Sequence, residues 1–113
     1  MQRSAVSAII GGEQGKGGMP VSQEIIRRRI RFYGWVQGVG FRYRARYAAD
    51  AAGATGWVRN EFDGSVTMEV QGTEEQIDRV ILAVENGAYI RIENMESKTI
   101  PVDPGERRFT TKY

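Results

Sequence analysis

Two short stretches carry the residue types that anion chemistry needs. The first, Gly34-Trp35-Val36-Gln37-Gly38-Val39-Gly40-Phe41-Arg42, is a glycine-bearing loop that runs into a helix. Such a loop presents free backbone N–H groups at the positive end of the helix dipole, which makes a ready anion site. Arg42 falls in the first turn of that helix, where its planar fork can bind two oxygens of one phosphate. At an effective dielectric near 20, opposite unit charges roughly 4 Å apart attract by about 4 kcal/mol before desolvation. A solvated arginine beside an ordinary strand-to-helix turn fits the same residues, so residue types alone leave both readings open. The second stretch, Gly56 to Asn60, ends on an asparagine that, taken alone, reads as a strand-end turn former.

Other chemistries have less support. The chain has no histidine and no cysteine, so the commonest general base near neutral pH and any thiol nucleophile are missing. Two phosphate motifs fail: Gly38-Val39-Gly40 lacks the third glycine of a dinucleotide fingerprint, and Gly15-Lys16 lacks the flanking residues of a P-loop. Glu61 and Asp63 read as hairpin and turn residues, and no motif supports a two-carboxylate site. Trp57 reads as a core or sheet residue. Arg27, Arg29 and Arg31 read as the solvent face of a strand.

The elements that must position these groups follow from patterning. The chain has 113 residues, consistent with one domain. Residues 1–23, with five glycines between Gly11 and Gly18, read as a flexible tail. Met19 offers an alternative start within it, which the intact mass of the natively expressed protein would reveal. The compact domain is expected over 24–113. Ile26, Ile30 and Phe32 alternate with the arginines at strand period. Phe41, Ala45, Ala48 and Ala52 follow at helical spacing, with Gly53 as the C-terminal cap. A second strand is expected from Thr55 to Asn60, a hairpin at Asp63-Gly64 and a returning strand from Ser65 to Gln71. Thr73 and Gln76 have capping-box spacing ahead of the stripe Ile77, Val80, Ile81 and Val84. Asn86-Gly87 ends that helix. A fourth strand is expected within Arg91 to Ile100 and a short last one at Phe109 to Tyr113. The order predicts an α+β fold of split βαβ type, an antiparallel sheet with two helices on one face.

Net charge is only +2, which by itself argues for no nucleic-acid partner. No apolar run approaches the length of about 18–20 residues that a membrane span needs, so no membrane is expected. The absence of cysteine suits a cytoplasmic protein. A monomer is the default for a domain this small.

Gly34 to Arg42 closely resembles the first signature of the acylphosphatase family, and Gly56-Trp57-Val58-Arg59-Asn60 with Asp63-Gly64-Ser65-Val66 resembles the second. The resemblance covers about residues 26–113. It implies a ferredoxin-like α/β sandwich, βαββαβ plus a short C-terminal strand. It also implies hydrolysis of a small-molecule acyl phosphate to a carboxylate and inorganic phosphate. The loop Trp35, Val36, Gln37, Gly38, Val39, Gly40 and Phe41 would cradle the phosphoryl group through backbone N–H groups. Arg42 would be the essential phosphate-binding arginine, and Asn60 would hold the attacking water. No metal and no cofactor are implied. Tyr89 departs from the family pattern where prolines are common, as does Thr111-Lys112-Tyr113 in place of a more usual Ile-Arg-Tyr; both are read as outer framework.

Three rivals remain at this stage. An RNA-binding sheet would expose aromatics on its central strands, and Ser65 to Gln71 has none. A binding-only anion module would have no evident need of Asn60. A piece of a larger carbamoyl-transferring enzyme would be expected to continue into further domains.

Overall fold

The computed structural model describes residues 23–113; the expectations for the tail and its internal start lie outside the described residues. The order is β1 (Ile26–Trp35), α1 (Phe41–Ala52), β2 (Thr55–Asn60), β3 (Val66–Gly72), α2 (Glu74–Glu85), β4 (Arg91–Ile100) and β5 (Phe109–Lys112). The five strands form one sheet in the order β4-β1-β3-β2-β5.

Both helices pack on one face. Ile30, Phe32, Val58, Val66, Met68 and Val70 from the strands are fully buried there against Ala45, Ala49, Ile77, Val80 and Val84 from the helices. Phe41 opens α1 and its ring lies 4.9 Å from that of Phe32, tilted by 58°. Burying an aromatic of this size contributes about 1.5–3 kcal/mol, so the start of α1 is pinned to the middle of β1. That pin fixes where Arg42 begins its reach. Thr73 and Gln76 form the expected reciprocal capping box. Gln76 also donates from Nε2 to the carbonyl of Ala52, and Arg44 from Nε to that of Ala83. These bonds hold the two helices in register.

Two expectations need correction. The sheet is mixed rather than wholly antiparallel: β4, β1, β3 and β2 alternate in direction, but β5 runs parallel to β2. The reason is geometric. β4 finishes at the end of the sheet where β2 starts, on the opposite edge, so a loop crossing beneath the sheet must deliver a strand that runs the same way as β2. Arg27, in turn, is not a solvent-face residue. Its side chain is 5% exposed, with N–O distances of 2.9 Å to Glu69 and 2.7 Å to Glu106. Gln71 bonds Arg27 and also both the N–H and the carbonyl of Asp103. The crossing loop thus buries Arg27. Burial works against its charge, and the hydrogen bonds it donates to Glu106 and Glu69 more than offset it.

Gly56 sets a tight approach between β2 and β3. Its φ is +141°, and a Cβ there would overlap the carbonyl oxygen of Glu69. Only glycine fits without moving a central strand. Gly56→Ala is expected to cost about 3 kcal/mol or more, read as a lower urea midpoint at unchanged slope.

Candidate functional site

The site is built where β1 breaks into α1. The pairing of β1 with β4 shifts register between Tyr33 and Gly34, and such an irregularity turns the chain out of the sheet. Trp35 is still the last strand residue, opposite Arg91, with an exposed side chain. The loop proper is Val36–Gly40. Val36 is fully buried and Val39 partly so, which anchors the loop by its apolar side chains. Gly38 and Gly40 take φ of +73° and +82° between them, the left-handed turns that let successive N–H groups converge.

Gly40 is the N-cap of α1 and has no side chain to cap with, and no acidic residue stands in the first turn. The first α1 backbone bond runs from the N–H of Arg44 to the carbonyl of Gly40. The N–H groups of Phe41, Arg42 and Tyr43 therefore lack helical acceptors. Among the described residues no backbone hydrogen bond uses the N–H of Gly38, Val39 or Gly40. This cluster of unpaired donors suits an anion.

Arg42 is partly exposed and, among the described residues, pairs with no carboxylate. Its guanidinium lies 5.0 Å from the centre of the Tyr113 ring. The parallel β5 is what carries Tyr113 to α1. Sequence reading treated the C-terminal residues as framework and gave no sign of this contact, because it depends on the crossing loop.

Asn60 is the last residue of β2, opposite Val66. Its carboxamide Oδ1 is buried and has no hydrogen-bond partner among the described residues. Buried polar atoms are paired in the great majority of cases, so an orphan acceptor marks a place where a small polar molecule belongs. The hairpin beyond it is tightly fixed. The N–H of Glu61 donates to the carbonyl of Ser65, and Asp63 Oδ1 accepts from both the N–H and the hydroxyl of Ser65.

Gln37 links the two halves of the site through its side chain. Its Nε2 donates to the carbonyls of Glu61 at 2.7 Å and Ser65 at 2.9 Å. The loop is thereby bolted to the hairpin that follows Asn60, and the loop, Arg42 and Asn60 fall at one end of the sheet. Sequence reading assigned Gln37 only a backbone role. Gln37→Ala removes both bonds, each worth about 1 kcal/mol net. Turnover is expected to drop on the order of ten- to a hundredfold through misplacement of the loop. Steady-state kinetics beside a thermal melt would separate that loss from unfolding.

Two hairpin carboxylates have lowered pKa values. Glu61 is held low by the hydroxyl of Thr67, against some burial, and then by Arg59 and Arg31. Asp63 is held low by the hydroxyl and N–H of Ser65. Their contributions to stability are complete above the ordinary values of 4.5 and 3.8 and are lost as pH falls through the lower folded values. The thermal midpoint is expected to fall as pH drops below about 4.5. Glu61→Gln should lose part of that slope, read from melts across acid pH.

Trp57 lies on the sheet face away from the helices, between the guanidinium of Arg59 at 4.9 Å and the ammonium of Lys112 at 4.4 Å from its ring. It is a sheet residue, as expected, and takes no part in the loop. Among the described residues no group of three or more His, Cys, Asp and Glu side chains is placed to hold a metal. No helix among them is long and apolar enough to cross a membrane.

Comparison with known proteins bears on the same residues. The family model described as acylphosphatase matches residues 28–111. The acylphosphatase of Oceanobacillus iheyensis is 41% identical over 87 residues, covering 75% of this chain and 96% of the relative. The crystal structure of acylphosphatase from Bacillus subtilis superposes with a TM-score of 0.72 at 34% identity, covering 78% of this chain and 99% of that one. Full-length HypF in its phosphate- and nucleotide-bound form matches at a TM-score of 0.72 and 26% identity, over 87% of this chain but 13% of HypF.

Proposed function

We propose, from the premise that this chain belongs to the acylphosphatase family, that it hydrolyses acyl phosphates by direct attack of water on phosphorus. The observation that carries the mechanism is the buried Oδ1 of Asn60, without a hydrogen-bond partner among the described residues, at the same end of the sheet as an uncapped helix start that bears Arg42. The N–H groups of Trp35–Phe41 and the guanidinium of Arg42 bind the phosphoryl oxygens and stabilise the charge that spreads over them in the transition state. Asn60 Oδ1 accepts a hydrogen bond from the water and aims its oxygen at phosphorus.

The new bond joins the water oxygen to phosphorus. The bond between phosphorus and the acyl oxygen breaks, and its electron pair leaves on the carboxylate. The water proton passes to a phosphoryl oxygen of the substrate, so the protein needs no general base. A carboxylate is a good leaving group, so it needs no strong acid either. The products are a carboxylate and inorganic phosphate. The chain supplies binding and orientation, and neither role requires a metal. It acts as a monomer in the cytoplasm.

Hydrolysis of benzoyl phosphate in ¹⁸O-labelled water tests the bond that breaks. Label is expected in the phosphate and not in the benzoate. Label in benzoate would mean attack at the carbonyl carbon and would overturn this mechanism.

A further inference from the structure

The face of the sheet opposite the helices is not a plain solvated surface. Arg29, Arg31, Arg59 and Lys98 line one groove of about 470 Å³ with Glu61, Thr67, Glu96 and Ser97. None of these residues belongs to the loop Trp35–Arg42, and Asn60 is not among them. The volume is that of a small-molecule site.

Register explains how the cations are arrayed. Arg31 stands between Glu96 on β4 and Thr67 on β3, and Arg59 stands on the far side of Thr67. Lys98 stands directly opposite Arg29. Like charges in that position disfavour strand pairing. A lysine on an edge strand commonly serves to block aggregation. Arg29 also faces Glu69 on β3 and pairs with it at 3.0 Å, which offsets part of its charge. Lys98 has no such carboxylate among the described residues, so an anion between Lys98 and Arg29 would add the missing counter-charge.

The arginines are also held in place. Arg29 Nε lies 3.0 Å from Glu69, Arg31 donates from Nε to Ser65 and from one terminal nitrogen to Asp63, and Arg59 bonds Glu61. At least one terminal nitrogen of each arginine stands outside those pairs, and both do in Arg29. Their forks are thus set before a ligand arrives, which lowers the entropic cost of binding.

We infer that this groove is a second anion site, for a small molecule bearing two or more phosphate groups. The span decides the number of phosphates. Lys98 and Arg59 lie three strand spacings apart, roughly 14 Å, which one phosphate cannot bridge. The covered aromatics decide against a nucleic-acid strand. Trp57 is occupied by Arg59 and Lys112, and Tyr33 by Arg31 over its ring and Glu96 on its hydroxyl. Among the described residues lining this face, Trp57 and Tyr33 thus already stack on cations, which leaves less ring surface for the base stacking on which single-strand recognition depends.

Titration calorimetry with tripolyphosphate at physiological ionic strength tests the site. The protein is the full chain carrying Arg42→Ala, which removes the cation of the hydrolytic loop. One equivalent is expected to bind, and adding Arg29→Gln with Lys98→Gln is expected to weaken it tenfold or more. Lys98→Gln alone, at an exposed edge position, is expected to weaken it at least threefold. Arg29→Gln with Lys98→Gln in otherwise intact protein should leave acyl-phosphate hydrolysis unchanged. Absence of binding to the Arg42→Ala protein, or binding indifferent to Lys98, would overturn the site without touching the hydrolytic reading. Tighter, competing binding of an oligothymidylate would replace the small molecule with a nucleic acid.

Discussion

Arg42→Ala is expected to lower kcat/KM for an acyl phosphate by about 10²–10³-fold or more while the protein stays folded. The side chain is partly exposed, pairs with no carboxylate among the described residues and contacts the ring of Tyr113. Losing that contact costs about 0.5–1 kcal/mol at such a site, too little to unfold a domain. The catalytic loss comes instead from the missing fork at the uncapped start of α1, where charge on the phosphoryl group would develop. Affinity for inorganic phosphate should fall with kcat/KM, because in the proposed mechanism the arginine grips the phosphate in the ground state as well. Arg42→Lys should recover only part of the activity, since an ammonium restores the charge but not the paired donors. Circular dichroism and inhibition by phosphate would accompany the kinetics. Near-normal turnover by a folded Arg42→Ala protein would overturn the assignment.

Asn60→Ala is expected to lose about 10²–10³-fold in kcat with phosphate affinity little changed. The distinguishing expectation concerns stability. Oδ1 of Asn60 is buried and has no hydrogen-bond partner among the described residues, so truncating it breaks no hydrogen bond among them. Removing it should leave the melting temperature unchanged or raise it. A variant that lost activity and stability together would point to a structural role for Asn60.

Local rules made most of the fold legible. Thr73 and Gln76 encode a helix start within four residues, and Gly53 takes the left-handed cap its position suggested. The strand from Thr55 to Asn60 and the turn at Asp63-Gly64 follow from alternation and turn chemistry in the same way. What stayed hidden depends on contacts between distant segments. Arg27 looks like its neighbours Arg29 and Arg31 in sequence; only the loop that brings Glu106 beneath the sheet buries it. The direction of β5 rests on that same crossing, and with it the placement of Tyr113 on Arg42. At the candidate site, residue types made the glycine loop and Arg42 candidates without deciding their role, and only the resemblance to a family motif singled out Asn60. The side chain of Gln37 could not, because its partners are two backbone carbonyls 24 and 28 residues away. The paired rows of charge on the open face were equally invisible, since strand register is not written in any one strand.

In the proposed mechanism an asparagine-held water and a backbone loop with an arginine suffice for acyl-phosphate hydrolysis. Benzoyl phosphate turnover in the presence of EDTA, comparing the intact protein with Asn60→Ala, tests it most directly. Turnover that survives chelation and collapses in the folded variant is the expected result. No turnover by intact, folded protein, or turnover indifferent to Asn60, would contradict the claim.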